Sequence, residues 1–404
     1  MLTTLTGIRV LDLSRMLPGP FCSMILADLG AEVIKVESHM VGDLMRRVPP
    51  HIGEESYYFM SVNRNKKSLA LNLKRAEGRE IFLKLAQTSD VIIEGFQPGH
   101  AKRLGIAYDD IQSLNPDIVY CSISGYGQEG PYRDRAGHNI NYVALAGMLD
   151  LSGAPGAAPA VPGVQTADIG GALFAAIGVL SALVARSRNE AGTYIDASLF
   201  HSAVAMMTFS AATLMSSEAP PERRQRHLAG LYPCYNVYQT KDGRYMALGA
   251  LEAVWWGDFC EAIGREDLIA VQFPEEGQRG SVIAELQRIF AERTQEEWVD
   301  FLADKNLCCE PVNTLQEALS RPAVRARGMV WDVDHPAAGI LHQIGSPLRS
   351  SAQSSEQIDP PPLLGQHTVE ILRSLGYDDE AIRQLRAKRV VSTPQGVPGV
   401  GKEP

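Results

Sequence analysis

Apolar residues run almost unbroken through GIRVLDLS (7–14), recur at three- and four-residue spacing through GPFCSMILADLGAE (19–32), and run unbroken again through VIKVE (33–37). That pattern predicts a strand, a helix and a strand. SLALNL (68–73), VIIEGF (91–96) and DIVYCSIS (117–124) read as further buried strands, and AEGREIFLKLAQTS (76–89) as an amphipathic helix. Strands alternating with helices predict a parallel sheet covered by helices and joined by right-handed crossovers. IGGALFAAIGVLSALVA (169–185), between Asp168 and Arg186, is the longest uncharged apolar stretch. It is at the short limit for a membrane span and rich in Gly and Ala, so a buried, closely packed helix is expected, with no membrane partner.

The loop SGAPGAAPAVPGV (152–164) delivers the chain to Asp168, expected as the helix cap. SSEAPPERRQRH (216–227) reads as a linker, after which a smaller α+β unit begins. There YNVYQTKDGRYMALGA (235–250) pairs two strand-like runs across Lys241, Asp242 and Gly243, a hairpin signal. WWGDFCEAIG (255–264) and VIAELQRIFAERTQEEWVDFLADKN (282–306) follow as helices. The stretch 359–391 is helical again, and STPQGVPGVGKEP (392–404) is expected to be a flexible tail.

With 404 residues, 45% hydrophobic and 21% charged, the chain has the composition of a soluble protein of two or three packed units. Its net charge of −9 argues against nucleic acid as a partner, since phosphate contacts need a basic surface. The six cysteines lack paired metal-ligand spacing, so no metal is expected and the thiols read as reduced. MLTTLTGIRVLDLSR carries no basic start followed by an apolar signal core, and cytoplasmic localisation is the expectation.

GYGQEG (125–130) satisfies a dinucleotide fingerprint, but Pro131 and the charged run after it stand where the phosphate-binding helix should begin; it reads as a glycine-rich turn. No nucleophile elbow, zinc-protease pair or phosphate-loop lysine is present. The remaining candidates for chemistry are His138, Asp168 and Glu252. Each also has a plain reading: His138 as a structural histidine, Asp168 as a helix cap, Glu252 as a helix-start carboxylate. Glu252 precedes two tryptophans, which would desolvate it and raise its pKa.

GIRVLDLSRMLPGPFCSMILADLGAEVIKVE, NRNKKSLALNLK, GYGQEGPYRDRAGHNINY, VQTADIGG, DGRYMALGALE and PLLGQHTVEILRSLGY occur in order from about residue 5 to 391. Together they resemble the family III CoA-transferase and α-methylacyl-CoA racemase superfamily. The resemblance implies a Rossmann-like α/β large domain built from both chain ends, an inserted small α+β domain, and two subunits interlocked as a homodimer. The large domain would comprise residues 1–215 and 321–391, with linker 216–227, small domain 228–320 and tail 392–404.

By resemblance, Asp168 is the nucleophile of a transferase, whereas His138, Asp168 and Glu252 form the catalytic set of a racemase. GHNINY is similar to the racemase pattern, although Asn139 stands where that pattern has Asp. The first reading is therefore racemisation of 2-methylacyl-CoA thioesters. His138 and Asp168 would flank the carbon next to the thioester, and the first-turn amides of Ile169, Gly170 and Gly171 would steady the enolate. The alternative is CoA transfer to a free carboxylic acid through an aspartyl thioester on Asp168. Coenzyme A, arriving as part of the acyl-CoA substrate, is the only cofactor implied. Arg15, Lys74 and Arg103 would meet its phosphates, Leu71 and Phe96 its adenine, and Tyr142 completes the expected binding set.

Overall fold

The computed structural model describes residues 2–154, 156–188, 190–216, 228–351 and 357–394. The expected linker, from 217 onward, and the tail from 395 lie outside the described residues. The described residues divide into two compact units. One draws on Met1–Met148, Pro162–Met207 and Ala326–Pro404, the other on Leu149–Val161 and Thr208–Arg325. The Pro/Gly/Ala loop from 149 to 161 groups with the second unit, whereas the sequence expectation kept it with the first.

In the first unit, β1 (Arg9–Asp12), β2 (Glu32–Ser38), β3 (Lys66–Leu71), β4 (Val91–Glu94), β5 (Val119–Ser124) and β6 (Tyr194–Ser198) form a parallel sheet. Their order is β3-β2-β1-β4-β5-β6, with the two-residue strand Val391–Ser392 added antiparallel beside β3. Ser392, expected in the tail, is thus a strand residue. The strands read as unbroken apolar runs because both sheet faces are covered: Val10, Leu11, Val91, Ile92 and Ile93 are fully buried. One shared core joins Ile81, Phe82 and Leu85 to Ile371, Leu372, Ile382 and Leu385, so both ends of the chain build this unit.

The strand order reverses between β1 and β4, and loops 13–17 and 95–99 leave the carboxyl ends of those two strands. In doubly wound sheets such a switch point is where ligands bind. Beyond β1 lies α1 (Pro18–Asp28), and beyond β3 lies α2 (Ala76–Ala86). Between β5 and β6 come α3 (Asn139–Leu145) and α4 (Thr166–Arg186); α5 (Leu199–Met206) follows β6. The β6 strand YIDAS and an antiparallel pair, Val330–His335 with Gly339–Ile344, were not read in the sequence, being short and half exposed.

In the second unit the expected hairpin is present: β7 (Tyr235–Gln239) pairs with β8 (Tyr245–Gly249), and β9 (Cys309–Pro311) adds to it. Trp256, Phe259, Phe290 and Trp298 fill its core. The expected stretch 282–306 is two helices, Glu276–Phe290 and Gln295–Leu302. The second starts where Thr294 accepts from the Glu297 amide in a capping box.

Candidate active site

α4 begins earlier than its sequence suggests. Its cap is Gln165, and Asp168 is the third helical residue rather than the cap. The first-turn amides are occupied: Thr166 N–H donates to the Val164 carbonyl at 2.9 Å and Ile169 N–H to the Gln165 carbonyl at 2.9 Å. Asn139 Oδ1 accepts from Ala167 N–H at 2.9 Å and from Asp168 N–H at 3.4 Å. The capping is therefore done from another helix, by the first residue of α3, beside His138. This removes the proposed enolate donors, because Ile169, Gly170 and Gly171 lie inside the helix. The two glycines serve packing: a Cβ on Gly170 would stand 2.5 Å from Met206 Sδ and one on Gly171 2.3 Å from Leu199 Cδ2, so they let α5 approach.

Stitched together by Asn139, His138 and Asp168 share one electrostatic environment. Burial pushes the Asp168 carboxyl up to about 6, against a smaller lowering by His138. Among the described residues no hydrogen-bond donor reaches the Asp168 carboxylate, which leaves its lone pairs free. The His138 ring is exposed; its backbone N–H donates to Asn141 Oδ1 at 3.0 Å, which fixes the start of α3. Tyr142 is buried beneath, its hydroxyl donating to the Gly137 carbonyl at 2.6 Å. Burial, then Asp168, pushes its phenol up to about 12. That influence, and the bond to Gly137 beside His138, group Tyr142 with the His138–Asp168 pair.

Glu252 corrects another expectation. It caps helix Ala253–Ala262 in the second unit, its side chain is exposed, and it makes no side-chain cap bond. The buried tryptophan faces its own core, with Trp256 Nε1–H donating to the carbonyls of Leu268 and Ile269 at 3.1 and 3.2 Å. The exposed Glu252 side chain is thus not enclosed by that indole.

At the switch point the expected binding residues come together. The Arg15 guanidinium lies 5.9 Å from the Phe96 ring centroid, Phe96 packs 5.1 Å from the His100 ring, and Arg103 Nη2–H reaches His100 Nδ1 at 3.1 Å. Burial, then Arg103, Arg15 and Lys74, lowers the His100 pKa, so Lys74 belongs to the same cluster. Leu71 is buried in the core against which Phe96 packs, which makes it a floor residue. His100 itself was missed in the sequence; its spacing from Arg103 was the available signal.

Beneath these loops Asp12 is fully buried between Lys66 Nζ at 3.2 Å and Lys35 Nζ at 3.9 Å. Burial raises its pKa, but the two ammonium groups and the hydroxyls of Ser14 and Ser23 outweigh that and hold it well below the carboxylate range. Lys35 Nζ also donates to the Ser14 carbonyl at 3.0 Å, and Met16 N–H donates to Asp43 Oδ1 at 3.0 Å, with Met16 at φ 67°. The network pins the loop that carries Arg15. On the neighbouring strand, Glu94 accepts from Phe96 N–H at 2.6 Å and from the Ser122 hydroxyl, which fixes the Phe96 loop.

The chain matches CoA-transferase family III over residues 5–368. It is 36% identical over 394 residues to a human succinyl-CoA:glutarate CoA-transferase, covering 96% of this chain and 90% of that one. Mouse alpha-methylacyl-CoA racemase is 32% identical over 397 residues, covering 96% and 98%. A solved CAIB/BAIF family protein from Brucella suis superposes with a TM-score of 0.82 at 29% identity, over 93% of this chain and all of that chain.

Proposed function

This chain belongs to CoA-transferase family III, and we propose from that premise that it moves coenzyme A from an acyl-CoA to a free carboxylic acid. This is the second of the two reactions weighed from the sequence and displaces the first. The observation that carries it is the Asp168 carboxylate: half-buried, without a hydrogen-bond donor among the described residues, and with a pKa of about 6, it is ionised at neutral pH yet poorly solvated. Such a carboxylate is a competent nucleophile.

Asp168 attacks the thioester carbonyl and CoA thiolate leaves, giving a mixed anhydride. The thiolate then attacks the Asp168 carbonyl, releases the donor's carboxylate and leaves an aspartyl-CoA thioester. An acceptor carboxylate repeats the two steps in reverse order, so thioester energy is conserved and Asp168 is regenerated. Arg15, Lys74 and Arg103 hold the CoA phosphates at the switch point, with Phe96 and Leu71 toward the adenine. Tyr142 shapes the pocket beside Asp168.

Succinyl-CoA and glutarate are the pair to try first, since that pair is printed in the name of a relative sharing 36% of its residues. His138 favours one second reading, racemisation of a 2-substituted acyl-CoA, because an imidazole near Asp168 supplies a second base. Incubation with succinyl-CoA and a panel of ¹³C-labelled acids, beside 2-methylacyl-CoAs in D₂O, separates the two. Labelled acyl-CoA without deuterium at the α-carbon is expected, with Asp168 trapped by hydroxylamine as its hydroxamate. Rapid deuterium entry with no transfer to any acid would replace the transferase reading by the racemase one.

A further inference from the structure

Arg15, Lys74 and Arg103 form no ion pair among the described residues, although they converge on Phe96 and His100. A fourth cation joins them from a different part of the chain. Gly99 takes a left-handed backbone, φ 79°, and a Cβ built on it would stand 3.5 Å from Arg133 Nη2 and 3.7 Å from Arg103 Nη1. Two guanidinium groups thus flank a position that has no side chain, at the end of the loop where the first turn of the following helix begins. Like charges brought this close repel, and an anion seated between them removes that repulsion.

Arg133 is held from behind. Its Nε–H donates to the Gln128 carbonyl at 2.9 Å, and Gln128 N–H donates to Asp196 Oδ2 at 2.8 Å. Its Nη1 pairs with Asp134 at 3.0 Å, a contact exposed on both sides and easily exchanged for a phosphate. Of the four cations it alone sits on the segment that runs from the glycine-rich turn 125–130 to His138. The turn whose glycines had no dinucleotide to bind is therefore the mount for an arginine.

We propose that Arg133 is a further phosphate-binding residue for acyl-CoA, and that through Gln128 it couples occupation of the switch point to the ordering of segment 125–138. The inference rests on the reading of this protein as a CoA enzyme. Substrate held at its phosphate end would draw Arg133 in and fix the stretch leading to His138 and Asp168, so CoA esters would be processed far better than short thioesters lacking the nucleotide.

The test uses free CoA as the probe, by calorimetry and by amide hydrogen exchange, on the full-length protein. In the wild type, CoA is expected to slow exchange both in 95–103 and in 125–138. Arg133→Gln is expected to weaken CoA about tenfold, the loss of one charge-assisted contact, and to abolish protection of 125–138 at saturating CoA while 95–103 stays protected. Arg133→Lys, which keeps the charge, should recover most of the affinity. Unchanged affinity and unchanged protection in Arg133→Gln would overturn the role of Arg133 and leave the CoA reading standing. A wild-type protein that binds no CoA would overturn both.

Discussion

Asp168 illustrates how a site residue weakens the fold that carries it. Its pKa of about 6 lies above the ordinary 3.8 because burial disfavours the charge more than His138 restores it. A carboxyl raised in the folded state binds more protons folded than unfolded. The penalty is absent below about pH 3.8, where the group is protonated in both states, and fully present above about pH 6. On the order of 2–3 kcal/mol is at stake at neutral pH. Asp168→Asn is therefore expected to abolish turnover while stabilising the protein at pH 7.5, with the gain vanishing at pH 4; denaturant melts at the two pH values check this. The same carboxylate must be ionised to attack, so kcat/KM for transfer should fall as pH drops through about 6. His138 lowers that value, so in His138→Ala the acid limb of the profile moves to higher pH. Transfer should persist at pH 8 within about tenfold of wild type, as befits a neighbour that tunes a nucleophile by charge. Loss of all transfer at pH 8 would make His138 a proton carrier.

At the scale of elements, the start of α4 depends on a residue 28 positions upstream of Ala167: Asn139 Oδ1 satisfies the Ala167 and Asp168 amides. A side-chain acceptor at a helix start contributes about 1 kcal/mol, so Asn139→Ala should lower stability by that amount and loosen Asp168, reducing kcat more than it raises KM. Gly171→Ala should be worse for stability, by about 1–3 kcal/mol, because its methyl would meet Leu199 and α5 would have to shift. Neither contact was legible in the sequence. Apolar periodicity announced β1 to β5, α1 and α2, and the motifs named Asp168 and the cations of the switch point. Periodicity says nothing about a carboxamide reaching across from the start of another helix, and so the sequence points to Asp168 as the cap although the helix begins at Thr166. The expected enclosure of Glu252 by tryptophan is absent for a related reason: adjacency in sequence is not adjacency in space where a helix start turns successive side chains to different sides. Arg133 and His100 were missed because their meaning comes from Gly99 and from the order of the sheet, which brings loops 13–17, 95–99 and 131–134 to one end.

At the scale of the molecule, α4 raises the remaining question. It is 21 residues long, with a mean hydropathy of 2.0 over its most apolar window, and only half of that window is buried. The buried face carries Gly170, Gly171, Ala175, Val179 and Ala182; Leu173, Phe174, Ile177 and Val184 lie exposed on the other. The sequence expectation of a wholly buried helix is met on one side only. A stripe of large apolar side chains on a helix that is otherwise bedded in its unit calls for a cover, and the homodimer implied by the family resemblance would supply one. In a two-fold interface each substitution counts twice. Exposing a buried Ile to charge forfeits about 2 kcal/mol of burial per copy, so Ile177→Asp should weaken association by about a thousandfold or more. Sedimentation equilibrium at micromolar protein is expected to return twice the chain mass of 44.0 kDa for the wild type and the single chain for Ile177→Asp. A wild type that sediments as a single chain without detergent, with full transfer activity, would sink the dimer. A wild type that stays in solution only with detergent or lipid would assign the stripe to a membrane surface.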